Sequence, residues 1–417
     1  MAPSSKISAL CSVKEWLIDP DSSALKGCPY GIFQKPGGVA IFLLTNRKKY
    51  DRFVTMKKPE ILAARDLNSR ADRHLTVTIP DNTGNPVLDA NLYDLAQRFN
   101  GGHNPAVVLQ MLSTVMNAAD SAQMEEHDLE MMARTVDEMF AADKMFAPYR
   151  NVRKITCFGS ARIQPEEDAY KQAVDFSRMA VEKGYMVITG GGPGIMQACN
   201  EGATKDASFG LNITLPYEQH ANPYIAGNEK MMNFYYFYTR KLNFLKQTDA
   251  LVAFPGGFGT MDEIFETITL IQTGKSTIFP VVVLDPPGET FWLRWMRFIE
   301  KELLDAGLIS RTDMHLLYRS KSAEDAMAYI ERFYRRYHSY YFESDSITIR
   351  ILEPLTQKHI DWILHDYTDI IPKGDLVQLR DDANDPEPAL ACLPRLRFTL
   401  KRGDYARLKD LIDIIND

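Results

Sequence analysis

The stretch PGGFGTMDE, residues 255–263, sets three glycines and a threonine directly before two carboxylates, behind the apolar run ALVAF (250–254). Backbone without Cβ atoms lets N–H groups close on an anion, and a helix starting there adds the positive end of its dipole. Phosphate is the natural tenant. A second turn of the same kind, TGGGPGIMQA (189–198), follows another apolar run. One such turn is as often a plain strand–helix connection; two on the same edge of one sheet weaken that reading. The acids need a separate reason. Glu263 and Glu266 are three apart and share a helix face. Thr260 and Asp262 are expected in the first helical turn, where a capping hydroxyl and an acid are commonly structural. An anion cradle has no such use for Glu263. That carboxylate makes sense if the ligand carries an anionic end and develops positive charge nearby. A sugar phosphate losing its base does both, through an oxocarbenium-like transition state. Cations are at hand in YFYTRKLNFLKQTD (236–249), with Arg240, Lys241 and Lys246, although composition alone equally allows a solvated basic face.

The elements that must hold these residues alternate through the middle of the chain. ITCFG (155–159), YMVITGGG (185–192), FGLNITLP (209–216), ALVAFPGG (250–257) and FPVVVLD (279–285) read as buried strands. Between them PEEDAYKQAVDFSRMAVEKG (165–184), GIMQACNEGATK (194–205) and TMDEIFETITLIQ (260–272) read as helices. Continuous apolar strands alternating with helices predict a doubly wound parallel sheet of the α/β class, Rossmann-like, whose ligands bind at the carboxyl edge. Residues 1–104 read as an N-terminal α+β region and 105–147 as a methionine-rich helical connector that packs on the sheet domain or on another subunit. Residues 148–340 form the sheet domain, and 341–417 a small α+β appendage with strand SITIRIL, the acidic loop RDDANDPEP (380–388) and a closing strand–turn–helix.

Bulk properties narrow the function. The chain has 417 residues with 45% hydrophobic and 25% charged, a globular composition. Its net charge of −7 argues against general nucleic-acid affinity. The five cysteines have no C-x-x-C pattern, so neither a disulfide framework nor a zinc site is expected. The run VAIFLL (39–44) is too short for a bilayer and no signal-peptide pattern opens the chain, so a reduced cytoplasmic protein, free of membrane, is expected. GSAR (159–162) lacks the G-x-G-x-x-G spacing of a dinucleotide fold. TGKST (273–277) follows a helix and has Thr269 where a P-loop needs glycine, so it reads as a helix stop. KPGG (35–38) reads as a plain turn, and His127, between Glu126 and Asp128, has no metal-ligand spacing. RFYRRYHSYY (332–341) interleaves bases with aromatics as a nucleic-acid surface does. Its favoured reading is a continuing helix, capped by a box at Ser322 and Asp325, that docks its aromatics on the appendage.

Taken together, GGGPGIM, TRK and PGGFGTMDE resemble, in order and spacing, the LOG family of nucleoside 5′-monophosphate phosphoribohydrolases, often mislabelled lysine decarboxylases. The resemblance covers roughly residues 150–340. The family pattern Pro-Gly-Gly-x-Gly-Thr-x-Glu-Glu has Asp262 at its first acid, and its second falls on Glu263. The family's arginine–lysine pair falls on Arg240 and Lys241, with Phe237 and Tyr238 in place of Met-His. The resemblance implies Arg240 and Glu263 as catalytic. It places Gly257, Phe258, Gly259, Thr260, Met261 and Asp262 around the phosphate, with Gly191, Gly192 and Gly194 from the first turn. Lys241, Thr269 and, in LPYEQHANPY (215–224), Glu218 would also contact substrate. The implied reaction is hydrolysis of the N-glycosidic bond of a nucleoside 5′-monophosphate to free base and ribose 5-phosphate, with no metal and no redox cofactor, in a homo-oligomer of two or more subunits. In layout the chain is similar to the longer bacterial nucleosidases. The alternative is a non-catalytic nucleotide sensor or molybdenum-cofactor carrier of the same superfamily; keeping both Arg240 and Glu263, 23 positions apart, favours catalysis.

Overall fold

The computed structural model describes residues 83–99, 101–215, 221–343, 346–372, 374–401 and 404–417, and before them the backbone of three strands. These are β1 (Tyr30–Lys35), β2 (Val39–Leu44) and β3 (Val54–Lys57), a small antiparallel sheet with Tyr30 opposite Leu44 and Val39 opposite Lys57. Strand β2 is the VAIFLL run; the Pro-Gly-Gly of KPGG lies outside the described residues.

The centre of the molecule is a seven-stranded sheet of β4 (Lys154–Phe158), β5 (Met186–Thr189), β6 (Ser208–Ile213), β7 (Met231–Phe234), β8 (Ala250–Ala253), β9 (Val281–Leu284) and β10 (Tyr318–Ser320). Every pairing is parallel, in the order β10-β9-β8-β4-β5-β6-β7. Strands β4, β5, β6, β8 and β9 are buried along their whole length. Both faces are covered, which is why their sequences read as unbroken apolar runs. The two edge strands escaped the sequence reading. MMNF and YRS are short and partly exposed, so neither the apolar run nor a clean alternation marks them.

The chain lays β4 down in the middle, builds outward through β5 to β7, then returns to place β8 on β4's free side. That reversal opens a crevice at the carboxyl ends of β4 and β8, the ligand position in such sheets. Helices α1 (Pro86–Arg98), α2 (Pro105–Asp120) and α3 (Glu126–Phe146) precede the sheet. Within it come α4 (Asp168–Glu182), α5 (Ile195–Ala203), α6 (Phe237–Gln247), α7 (Phe258–Gln272), α8 (Phe291–Ile299) and α9 (Ala323–Phe333). Helix α4 buries Ala169, Tyr170, Ala173, Phe176 and Ala180 at helical spacing and packs on α5 and α9. Burying one such phenylalanine stabilises by about 2 kcal/mol. Phe176 meets Phe254 edge-on, and Phe158 of β4 meets Phe244 of α6.

The RFYRRYHSYY stretch is not a continuing helix. Helix α9 stops at Phe333 and the chain turns into β11 (Tyr337–Glu343). Phe333, Tyr334, Tyr337, Tyr340 and Tyr341 are all buried, so the aromatics that a nucleic-acid surface would need are spent in the core. Ser322 caps α9 through the Asp325 N–H, but Asp325 turns its carboxylate to Ser320 and Tyr318 instead of closing a box. Strand β11 opens a four-stranded antiparallel sheet with β12 (Ser346–Ile351), β13 (Val377–Leu379) and β14 (Arg395–Thr399), in the order β11-β12-β14-β13. Helices α10 (Gln357–Asp366) and α11 (Tyr405–Ile415) accompany it. The acidic loop is built into this unit: Asp385 and Glu387 are buried against Arg350 and Arg395, themselves fully buried.

Candidate active site

A cavity of about 710 Å³ occupies the crevice at the β4–β8 reversal. Its floor and one wall are the loop after β4, Gly159–Arg162, and Gly190 at the end of β5. Ile213 and Leu215 close it from the end of β6, Phe237 and Arg240 from the first turns of α6, and Gly256 to Glu263 from the turn after β8. Both glycine turns and the basic helix therefore meet at one place.

Helix α7 starts two residues earlier than the sequence suggests. Gly257 is its cap, without a side-chain hydrogen bond, and Phe258, Gly259 and Thr260 form its first turn. Thr260 is thus inside the helix, not its cap, and Asp262 lies beyond the first turn, which holds no acid. The free N–H groups of Phe258, Gly259 and Thr260 open on the cavity with only glycine before them. Glu263 follows in the second turn and is 6% exposed. Burial pushes its carboxyl up to about 7 from an ordinary 4.5; Lys241 and Arg240 pull it down, while Asp262 and Glu266 push it further up. Such a group is half ionised near neutrality, as a proton acceptor needs to be.

Arg240 is the cation of the cavity wall. Its guanidinium lies 5.3 Å from the Phe244 ring centre and 5.7 Å from that of Phe237, one turn on either side of it along α6. A Cβ on Gly190 would stand 3.5 Å from Arg240 Nη2 and 2.7 Å from Met196 Sδ, so glycine there admits both side chains. Arg240 Nε is buried with no hydrogen-bond partner among the described residues. Burial holds its pKa below the ordinary range, against the upward pull of Glu263 and Asp262. Arg240 and Glu263 feel each other's charge across the cavity, yet among the described residues no ion pair joins them.

Residues 196–330 match a protein family described as "Possible lysine decarboxylase". A probable cytokinin riboside 5′-monophosphate phosphoribohydrolase of Oryza sativa subsp. japonica is 28% identical over 189 residues, 44% of this chain and 86% of its own. A cytokinin riboside 5′-monophosphate phosphoribohydrolase of Arabidopsis thaliana is 34% identical over 98 residues, 24% of this chain and 44% of its own. Over the sheet domain the chain is thus similar to the LOG phosphoribohydrolases. Among solved structures, a molybdenum cofactor binding protein of Rippkaea orientalis is 16% identical with TM-score 0.30, over 43% of this chain and 93% of its own. The molybdenum cofactor carrier protein of Chlamydomonas reinhardtii is 20% identical with TM-score 0.31, over 43% and 97%.

Within this domain the structure sorts the residues named from sequence. Gly257, Phe258, Gly259, Thr260, Met261, Asp262, Glu263 and Arg240 line the cavity. Lys241 does not. Its ammonium turns to the outside and donates to Asp262 Oδ1 and Glu266 Oε2, both at 2.8 Å, because consecutive helix residues point about 100° apart. Burial pulls Lys241 down, and those two acids more than offset it, leaving its pKa raised. Thr269 is exposed, two turns past the cavity end of α7, and takes no part in the wall. Glu218 lies outside the described residues. Gly191, Gly192 and Gly194 shape the floor without lining it. Gly194 has φ +68°, and a Cβ there would lie 2.3 Å from the Ser160 carbonyl, so the first glycine turn closes on the loop after β4. The Ile195 N–H seals that contact on Ser160 O at 3.0 Å.

Sequence reasoning missed Ser160, Arg162, Gly190, Met196, Leu215 and Phe237, all in the wall. A signal existed for the first two. GSAR follows the first strand of the sheet, and in a doubly wound sheet that loop borders the reversal. Among the described residues no cluster of His, Cys, Asp and Glu could hold a metal ion, and no helix is long and apolar enough to cross a membrane.

Proposed function

We propose that this cavity hydrolyses the N-glycosidic bond of nucleoside 5′-monophosphates, releasing the free base and ribose 5-phosphate. The observation that carries the reading is Glu263, a buried carboxyl raised to about 7 that follows a glycine turn in the same cavity as Arg240, with which it makes no ion pair. The names of the plant relatives support the same chemistry.

The phosphate sits against the N–H groups that begin α7, far from the bond that breaks. Binding energy gained there places C1′ near Glu263. As the C1′–N bond lengthens, its electron pair goes to the base and positive charge builds on the sugar. The ionised Glu263 stabilises that charge and orients a water. The water oxygen bonds to C1′ and loses its proton to the Glu263 carboxylate, while the departing base nitrogen takes a proton from solvent water. Arg240 contacts the substrate's anionic or hydroxyl oxygens and keeps the carboxylate from folding back. Phe158, Met196, Ile213 and Phe237 give the cavity its apolar wall for a base.

The test is a panel of nucleoside 5′-monophosphates incubated with the protein, scored for free base and ribose 5-phosphate, beside Glu263→Ala. Release that disappears in the variant is the expected result. Nucleotide binding without release from any substrate would replace this reading by the sensor or carrier alternative. A variant still turning over near the wild-type rate would remove Glu263 from its role.

A further inference from the structure

Helix α3 lies before the matched family segment, yet it is tied along its length to α6, the helix that carries Arg240. Thr135 and Tyr238 share a hydroxyl hydrogen bond of 2.6 Å, and Asn243 Nδ2 reaches Met139 Sδ at 3.4 Å. Lys246 pairs with Asp143, and the Arg134 guanidinium lies 4.3 Å from the centre of the Tyr235 ring. In the middle stands Glu138, only 7% exposed. One of its oxygens accepts the Tyr235 N–H at 2.6 Å; the other accepts the Thr239 hydroxyl. These partners bracket the start of α6, whose own cap residue, Tyr236, supplies no side-chain acceptor. The Glu138 carboxylate holds the residue before that cap by its N–H and the third helical residue by its hydroxyl, next to the positive end of the α6 dipole.

We propose that Glu138 is a positioning residue for the site: by gripping Tyr235 and Thr239 it fixes the first turn of α6 and so the aim of the Arg240 guanidinium. Arg240 follows Thr239 directly. It is held by ring faces and by the bare Gly190, and its buried Nε has no polar partner among the described residues. Its direction therefore depends on where the helix is placed. The inference rests on reading Arg240 as a substrate contact, and it gives the helical segment before the sheet a part in the chemistry.

The test uses the full chain with Glu138→Ala, Glu138→Gln, the milder Thr239→Val, Arg240→Ala and the double variant Glu138→Ala/Arg240→Ala. Hydrogen–deuterium exchange over residues 235–241 needs no ligand and is read first. Faster exchange there in Glu138→Ala, with the sheet's protection unchanged, is expected. Affinity for adenosine 5′-monophosphate, by calorimetry, should then fall about 10-fold, the scale of one lost charge-assisted hydrogen bond. Glu138→Gln, which keeps an acceptor, should stay near wild type, and Thr239→Val should fall between them. In the Arg240→Ala background, adding Glu138→Ala should change affinity less than about twofold, since the two act as one unit. Equal losses in both backgrounds, or unchanged exchange, would overturn the proposal. Wild-type protein that binds the nucleotide without hydrolysing it would sink only the proposed reaction, and the cycle in affinity would still decide on Glu138. Wild-type protein that binds none would sink both, leaving Glu138 a structural cap.

Discussion

Replacing Glu263 by glutamine tests the burial of that carboxyl without any substrate. Its folded pKa, about 7, stands above the ordinary 4.5, so the fold prefers the protonated form. The stability it contributes is fully present below pH 4.5 and is lost as pH rises through 7. At about 1.4 kcal/mol per pKa unit, the whole span is worth roughly 3 kcal/mol, a ceiling because the group borders an open cavity. Glutamine keeps the shape and cannot ionise. Glu263→Gln should therefore match wild type near pH 4.5 and exceed it by up to about 3 kcal/mol at pH 8.5, most of the gain appearing between those limits. Urea unfolding at matched ionic strength measures both, with the slope checked for constancy. A difference that does not change with pH would refute the reasoning. So would a wild-type advantage at pH 8.5, because Arg240 would then be holding the carboxylate as a true ion pair.

Arg240→Lys should weaken nucleoside monophosphate binding about 10-fold, since lysine offers neither the planar fork nor the stacking on Phe237 and Phe244; calorimetry decides. Lys241→Met should leave that affinity within about twofold, because Lys241 is not in the cavity wall and its ammonium is held by Asp262 and Glu266. It should also raise the Glu263 pKa further, seen as an upward shift of the stability midpoint, because Lys241 is the strongest counter-charge acting on it. Asp385→Ala should cost about 3–5 kcal/mol in urea unfolding, since it leaves the fully buried Arg350 and Arg395 facing each other without their shared carboxylate. A cost under about 1 kcal/mol would show that water or another acid replaces it.

The sheet was legible because its inner strands are buried on both faces and are mostly apolar; Val281 to Leu284 needs no periodicity to be recognised, and Ile155 to Phe158 is broken only by Thr156. The edges were not, because a four-residue strand such as MMNF, interrupted by the exposed Asn233, is too short to show a run or an alternation. The site divides along the same line. PGGFGTMDE announces itself by backbone chemistry, and Arg240 by a short motif. Lys241 was misplaced because adjacency in sequence says nothing of helix phase. Glu138 carried no local signal at all. It is one of several acids on α3, and only the tertiary contact with Tyr235 and Thr239 separates it from its solvated neighbours.

Three acids within five residues of α7 meet two different fates, and helix geometry decides which. Asp262 and Glu266 are one turn apart and share the face that meets α6, where Lys241 takes both. Glu263 is turned about 100° from Asp262, into the cavity. Helix α6 repeats the division, with Arg240 inward and Lys241 outward. The outer cluster is satisfied and clamps the two helices together. The inner pair is held in each other's field without bonding. Had Arg240 and Glu263 closed into a salt bridge, the carboxylate would be locked in its ionised form and both groups consumed before a ligand arrived. Keeping them apart leaves the acid near neutrality in its pKa and the guanidinium outside an ion pair with it, the state that the proposed hydrolysis needs when a substrate enters.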